Sequence, residues 1–262
     1  MNTKNQKDFL GFIKFVDDQY IHDLFNLDSL WLSNYRFFIG NKETSEEDLI
    51  NDEYEGRLDK LQTNMPAFLT CFTLIEKDSF DETGTLKDDI SSALINSEKC
   101  MNKNRSFVYI PKENMECLIK NKLSEINKIN KYSNYPKSDI FTRFIHYKRD
   151  YKDYMEKKEQ ELRTAKPDIG VLENIGMDMF CTKPDRFEVQ NEFRIGKVLP
   201  VNEEDSQYKN KNGISIPLGS PIPFATKKFS QSNLKNLSKI DLQNLNKENL
   251  NKEKKNEEGF KK

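Results

Sequence analysis

With 262 residues, the chain is long enough for one large domain or two small ones. Hydrophobic residues make up 35% and charged residues 32%, which is polar for a globular protein, but aromatics reach 11%, so a substantial core is available. The 42 basic and 43 acidic residues leave a net charge of -1, which excludes a global field drawing the protein onto nucleic acid or an anionic membrane.

Met1–Asp8 leads into only a short apolar run, without the apolar region of a signal peptide. No segment approaches the roughly 18 apolar residues of a membrane span. The expectation is a soluble, cytoplasmic chain. Phe9–Val16 is dense in β-formers and predicts a strand, after which Asp17 and Asp18 stand where helix caps belong. Ile21, Leu24 and Phe25 follow at helical spacing, predicting a short helix to about Asn26. Leu30–Ser33 predicts a second strand, followed by a Phe-rich turn and an exposed acidic segment from Glu43 to Glu55. Ala67–Ile75 is nearly continuous in apolar residues, the pattern of a central strand covered on both faces.

Residues 77–88 read as a loop, Asp88–Asn96 as a short helix and Ser106–Ile110 as a strand. Pro111 at the first helical position, with Glu113 close behind, opens a helix whose Met115, Leu118, Ile119 and Leu123 share a face. Ile140–Lys148 predicts a strand with Ile140, Thr142, Phe144 and His146 on one face and Phe141, Arg143, Ile145 and Tyr147 on the other. Tyr151–Arg163 predicts an exposed helix. Met177–Thr182 predicts a strand followed by a Lys183-Pro184-Asp185 turn. Glu192–Leu199, the alternating Ile214, Ile216 and Leu218, and Pro223–Lys228 predict the last strands.

Beyond Gln231 the composition narrows to Asn, Lys, Leu and Glu, with seven asparagines between 233 and 256. Asparagine lowers helix propensity, so the expectation is a helical stretch over 232–245 and disorder beyond it. The whole reads as a single α+β domain over residues 1–229, around a mixed or mainly antiparallel sheet with short helices, and a partly helical or disordered tail over 230–262.

Candidate chemistry gathers at three places. Glu192 and Arg194 lie two apart on a strand and face the same side, with Phe193 and Ile195 pointing oppositely into the core. The pair either holds a polar ligand or forms a salt bridge on a solvent face, where it contributes little. Glu55 precedes Gly56, which permits a turn aiming the acid back at the sheet toward Arg36 or Arg194; an ordinary acidic loop is the alternative. Tyr35 and Arg36 end an apolar strand, either as site residues or as a capping tyrosine and a surface arginine. His22 reads as solvated and His146 as partly buried and structural.

The chain lacks a Gly-x-Ser-x-Gly elbow and any glycine-rich phosphate loop. Its cysteines, Cys71, Cys100, Cys117 and Cys181, are too scattered for a zinc set and read as reduced thiols, some acting as small core groups. No metal site is expected. Phe141–Arg149 interleaves basic and aromatic residues, as single-stranded nucleic acid binding requires, but the balanced net charge disfavours that reading.

Leu30-Trp31-Leu32-Ser33, the aromatic turn Tyr35–Phe38, Asp52-Glu53-Tyr54-Glu55-Gly56, the late Glu192-Phe193-Arg194-Ile195 strand and Ile214–Gly219 together resemble a family of phage-, plasmid- and defence-island-borne proteins, some of them abortive-infection proteins (AbiGi-like). The resemblance implies a phage- or mobile-element-linked defence or counter-defence protein with a nucleotide-handling pocket and an ADP-ribosyltransferase-like split sheet. NAD would be the substrate. Glu192 would be the catalytic glutamate, stabilising the developing oxocarbenium. Arg36 would grip the pyrophosphate, with Arg194, Glu55 and Tyr35 lining the pocket. Such enzymes carry His or Arg on an early strand, where this chain offers Lys14. The alternative is a non-catalytic binding module, a sensor or inhibitor acting through a protein partner. The sequence sets no oligomeric state.

Overall fold

The computed structural model describes residues 9–35, 57–58, 61–62, 67–100, 105–132, 140–164, 178, 180–198 and 211–259. Phe37, Phe38 and the acidic segment Glu43–Glu55 lie outside the described residues. In chain order the elements are β1 (Phe9–Val16), α1 (Ile21–Phe25), β2 (Asn26–Asn34), β3 (Arg57–Leu58), β4 (Leu61–Gln62), β5 (Ala67–Glu76), α2 (Asp88–Cys100), β6 (Ser106–Pro111), α3 (Lys112–Cys117), α4 (Ser124–Tyr132), β7 (Phe141–Phe144), β8 (His146–Lys148), α5 (Tyr151–Thr164), β9 (Thr182–Pro184), β10 (Glu192–Val198), β11 (Gly213–Pro223), β12 (Lys227–Phe229) and α6 (Lys239–Gly259). A π-helical turn, Leu118–Leu123, joins α3 to α4. The fold is α+β with mainly antiparallel pairing, and β8 with β9 is parallel. Among the described residues no helix is long and apolar enough to cross a membrane.

By its internal contacts the chain groups into two compact units. The first comprises residues 1–28, 72–122 and 218–262. Within it β1 pairs antiparallel with both β5 and β6, and β6 pairs with β12. The register between β1 and β5 slips at Leu10. The Leu10 carbonyl accepts hydrogen bonds from the Tyr109 hydroxyl at 2.6 Å and from Asn246 Nδ2 at 3.0 Å. Tyr109 reaches it across Gly11, where a Cβ would stand 2.5 Å from the tyrosine hydroxyl, so the position accepts no side chain without a shift.

The tail expected over 230–262 is partly helical, and its described part packs on this unit. Leu234 lies in the short 3-10 helix Gln231–Asn236, Leu237 just beyond it and Leu242 on α6. All three pack with Leu10, Ile13, Phe107 and Tyr109. The helix continues past the expected end at 245, to Gly259.

The second unit comprises residues 29–71 and 123–217. Here β2 pairs with β5 (Ser33 with Leu69, Asn34 with Phe68), and β10 pairs with β5 on one side and with β7 on the other. Its core gathers Tyr35, Leu69, Phe141, Ile145, Phe180 and Cys181.

Two local expectations change in this unit. The single strand over 140–148 divides at Ile145. The Ile145 N–H donates to the Glu192 carbonyl at 3.0 Å, while the next N–H, of His146, donates to the Cys181 carbonyl at 2.8 Å, so the chain exchanges β10 for β9 as its neighbour. The strand expected over 177–182 is displaced toward the C-terminus. Asp178 and Phe180 are helical, and β9 takes up the residues expected to turn. Pro184 closes it, having no N–H to extend a ladder, and caps the 3-10 helix Asp185–Gln190.

Candidate functional site

The candidate site lies in the second unit and is built on β10. Asn191, just before the strand, adopts a left-handed conformation (φ 41°) that asparagine tolerates better than most residues. From there Glu192 through Gly196 is buried on both faces. Glu192 and Arg194 share one face, as their spacing requires. Phe193 and Ile195 occupy the other, where Phe193 meets the Phe144 ring at 5.0 Å between centroids.

The Glu192 carboxylate is held at both oxygens. Arg194 Nε donates to Oε1 at 2.5 Å, and Lys183 Nζ stands 2.8 Å from Oε2. The Cys71 thiol also hydrogen-bonds the carboxylate. Arg194 Nη1 donates to the Phe180 carbonyl at 2.6 Å. Lys183 Nζ lies 5.3 Å from the Phe187 ring centroid and 3.4 Å from Gln190 Oε1. The Glu192 N–H donates to the Tyr147 hydroxyl at 2.8 Å. Arg194 is 1% exposed, and Glu192 and Lys183 are each 7% exposed. A surface ion pair was one expectation for Glu192 and Arg194; the pair is instead deep, because β10 is covered on both sides.

The electrostatics follow from that depth. Burial pushes the Glu192 carboxyl up, but Arg194 and Lys183 more than offset it and hold the group far below the ordinary carboxylate range. Burial pushes the Cys181 thiol up to about 12, against the pull of Arg194 and Arg143, so it stays protonated and is a poor nucleophile. Burial raises the Tyr147 hydroxyl, and the Glu192 charge adds to the effect. The group thus contains two buried cations, one buried anion and neutral hydroxyl and thiol neighbours.

The other sequence candidates fall elsewhere. Tyr35 is a packing residue: it is buried, and its ring meets Phe180 edge-on at 5.1 Å, bracing the residue whose carbonyl receives Arg194. Arg36 and Glu55 lie outside the described residues. His22 is exposed, as expected. His146 is exposed rather than partly buried, because it alternates away from the buried Ile145. Lys183, Cys71 and Phe180 were missed, Lys183 because Lys-Pro-Asp reads as a turn. Tyr147 was within reach, since alternation already placed it on the face of Phe141, Arg143 and Ile145. Among the described residues no three His, Cys, Asp or Glu side chains gather as a metal set. The chain matches no protein-family model, no curated protein and no solved structure.

Proposed function

We propose that this chain is a non-catalytic binding module, a sensor or inhibitor that works through a protein partner, in a phage- or mobile-element-linked defence or counter-defence setting. The setting rests on the resemblance of the Leu30–Ser33, Asp52–Gly56 and Glu192–Ile195 segments. The non-catalytic reading rests on one observation: both oxygens of Glu192 are committed to buried cations of the protein itself.

A glutamate that stabilises a developing oxocarbenium, or orients a ribose hydroxyl, must present its negative charge to the substrate. Here Arg194 and Lys183 already offset that charge, Glu192 is 7% exposed, and turning it away from either cation would break a buried ion pair. The same commitment suits a residue that fixes β9 and β10 against one another. The nucleotide-handling reading with NAD as substrate therefore receives less support than the partner-binding one.

The test is NAD consumption, and label transfer from NAD to cell extract, by the full chain and by Glu192→Gln. The expected result is turnover at the buffer level for both proteins. Turnover by the wild type that falls in Glu192→Gln would overturn the proposal and restore Glu192 as a catalytic residue.

A further inference from the structure

We propose that the outer edge of β7 receives an extended peptide of apolar–acidic–apolar pattern, added to the sheet as one more strand. The inference deepens the partner-binding reading above and rests on it. Among the described residues β7 has β10 as its one strand neighbour. In their antiparallel register Arg143 faces Arg194 and Phe144 faces Phe193. The bond from the Ile145 N–H to the Glu192 carbonyl fixes the parity. Odd-numbered residues of β7 bond to β10, and the N–H and C=O groups of even-numbered residues point away from it.

Both ends of that outward edge are occupied. At one end the side chain of Asn127, on α4, acts as a surrogate strand. Its Nδ2 donates to the Ile140 carbonyl and its Oδ1 accepts the Ile140 N–H, each at 2.9 Å. At the other end the His146 N–H is taken by the Cys181 carbonyl. Between them Thr142 and Phe144 present their outward N–H and C=O groups to no strand among the described residues. An unpaired edge of this kind is a template for strand addition, in which main-chain bonds supply affinity and alternate side chains supply selectivity.

Selectivity is set by what the edge displays on each face. Arg143 is exposed and makes no ion pair among the described residues. Its cross-strand neighbour is Arg194, itself buried and bonded to Glu192. The other nearby carboxylate, Asp178, stands 3.4 Å from Lys158 Nζ. Like charges directly opposite one another on a sheet are unfavourable, so an incoming carboxylate beside the exposed Arg143 offsets its charge. On the opposite face Phe144, 42% exposed, leans on Phe193 and offers its ring to an apolar side chain. An added strand that sets an acidic residue beside Arg143 therefore sets its two neighbours on the Thr142 and Phe144 face.

The experiment is fluorescence anisotropy with the full chain and two labelled, end-capped hexapeptides, one alternating valine with glutamate and the other valine with lysine. The expected result is saturable binding of the glutamate peptide in preference to the lysine peptide. Thr142→Pro removes only an outward N–H and should weaken that binding about tenfold while leaving the circular dichroism spectrum and melting temperature unchanged. Arg143→Glu alters an exposed side chain and should reverse the preference, a readout that stands even if the proline variant fails to fold.

Equal binding of both peptides by wild type and Arg143→Glu, or no saturable binding by the wild type, overturns the proposal. Concentration-dependent dimers in sedimentation that Thr142→Pro abolishes would place a second copy of the chain on the edge and overturn it as well. Each of these outcomes leaves the partner-binding reading standing, whereas NAD turnover sinks that reading without touching the peptide result.

Discussion

Glu192 carries two cations on one carboxylate with almost no water, and that imbalance governs how the residue responds to change. Removing its charge takes from Arg194 and Lys183 the buried carboxylate they share, and loss of one partner of a buried pair costs about 3–5 kcal/mol. Glu192→Gln is therefore expected to lower stability by that amount at neutral pH, measured by urea denaturation. The sign of the pH dependence follows from the depressed carboxyl. Above the unfolded value of about 4.3 the stabilisation is complete. Below it the unfolded chain takes up a proton that the folded chain refuses, so the stabilisation drains away as pH falls toward the folded value. The wild-type advantage over Glu192→Gln should thus shrink between about pH 5 and pH 2; a constant difference across that range would refute the charge-based account. The pairing of Glu192 with Arg194 was legible in the sequence because i and i+2 share a face of any strand. Its depth was not, since cover on both faces of β10 comes from residues distant in sequence. Lys183 was hidden for the same reason, its role appearing only once β9 runs beside β8.

Among the elements, α6 is the one whose sequence misled most. Its asparagines argued against a long helix, and by propensity alone they should shorten it. Two of them instead act as tertiary connectors. Asn246 Nδ2 donates to the Leu10 carbonyl, 236 residues away in sequence, and Asn249 Nδ2 donates to Asn114 Oδ1 at 2.8 Å, 135 residues away. Asn114 in turn donates to the Phe224 carbonyl at 2.8 Å. Such partners leave no trace in local composition, whereas the Phe9–Val16 strand, whose signal is wholly local, is found at its expected bounds. Buried amides left half-satisfied are unfavourable, so Asn249→Ala should destabilise by about 1–3 kcal/mol, most of it from the orphaned Asn114. A double change with Asn114→Ala should then fall well short of the sum of the two single changes. Additive effects in urea denaturation would show that α6 is not held through this pair.

At the scale of the molecule, the chain passes between the two compact units four times, and none of the crossings is a linker. They fall after Asp28, Cys71, Lys122 and Pro217. Those points lie inside β2, β5, the π-helical turn Leu118–Leu123 and β11. Domain boundaries that permit independent folding run through exposed, flexible segments. Here each crossing runs through a regular element, so neither unit is a contiguous piece of sequence. The sequence suggested a single domain because it shows no linker, and the grouping into two units is a property of long-range contacts that local composition does not carry. The consequence is one cooperative transition. Trp31, the only tryptophan of the chain, lies in the second unit, while α6, a helix of 21 residues, lies in the first. Tryptophan fluorescence and far-ultraviolet circular dichroism should therefore report coincident urea midpoints, the behaviour of a two-state unit. In Glu192→Gln both should move together, even though the lost charge belongs to the second unit. A fluorescence midpoint that parts from the midpoint of the helical signal would mean that the units unfold separately.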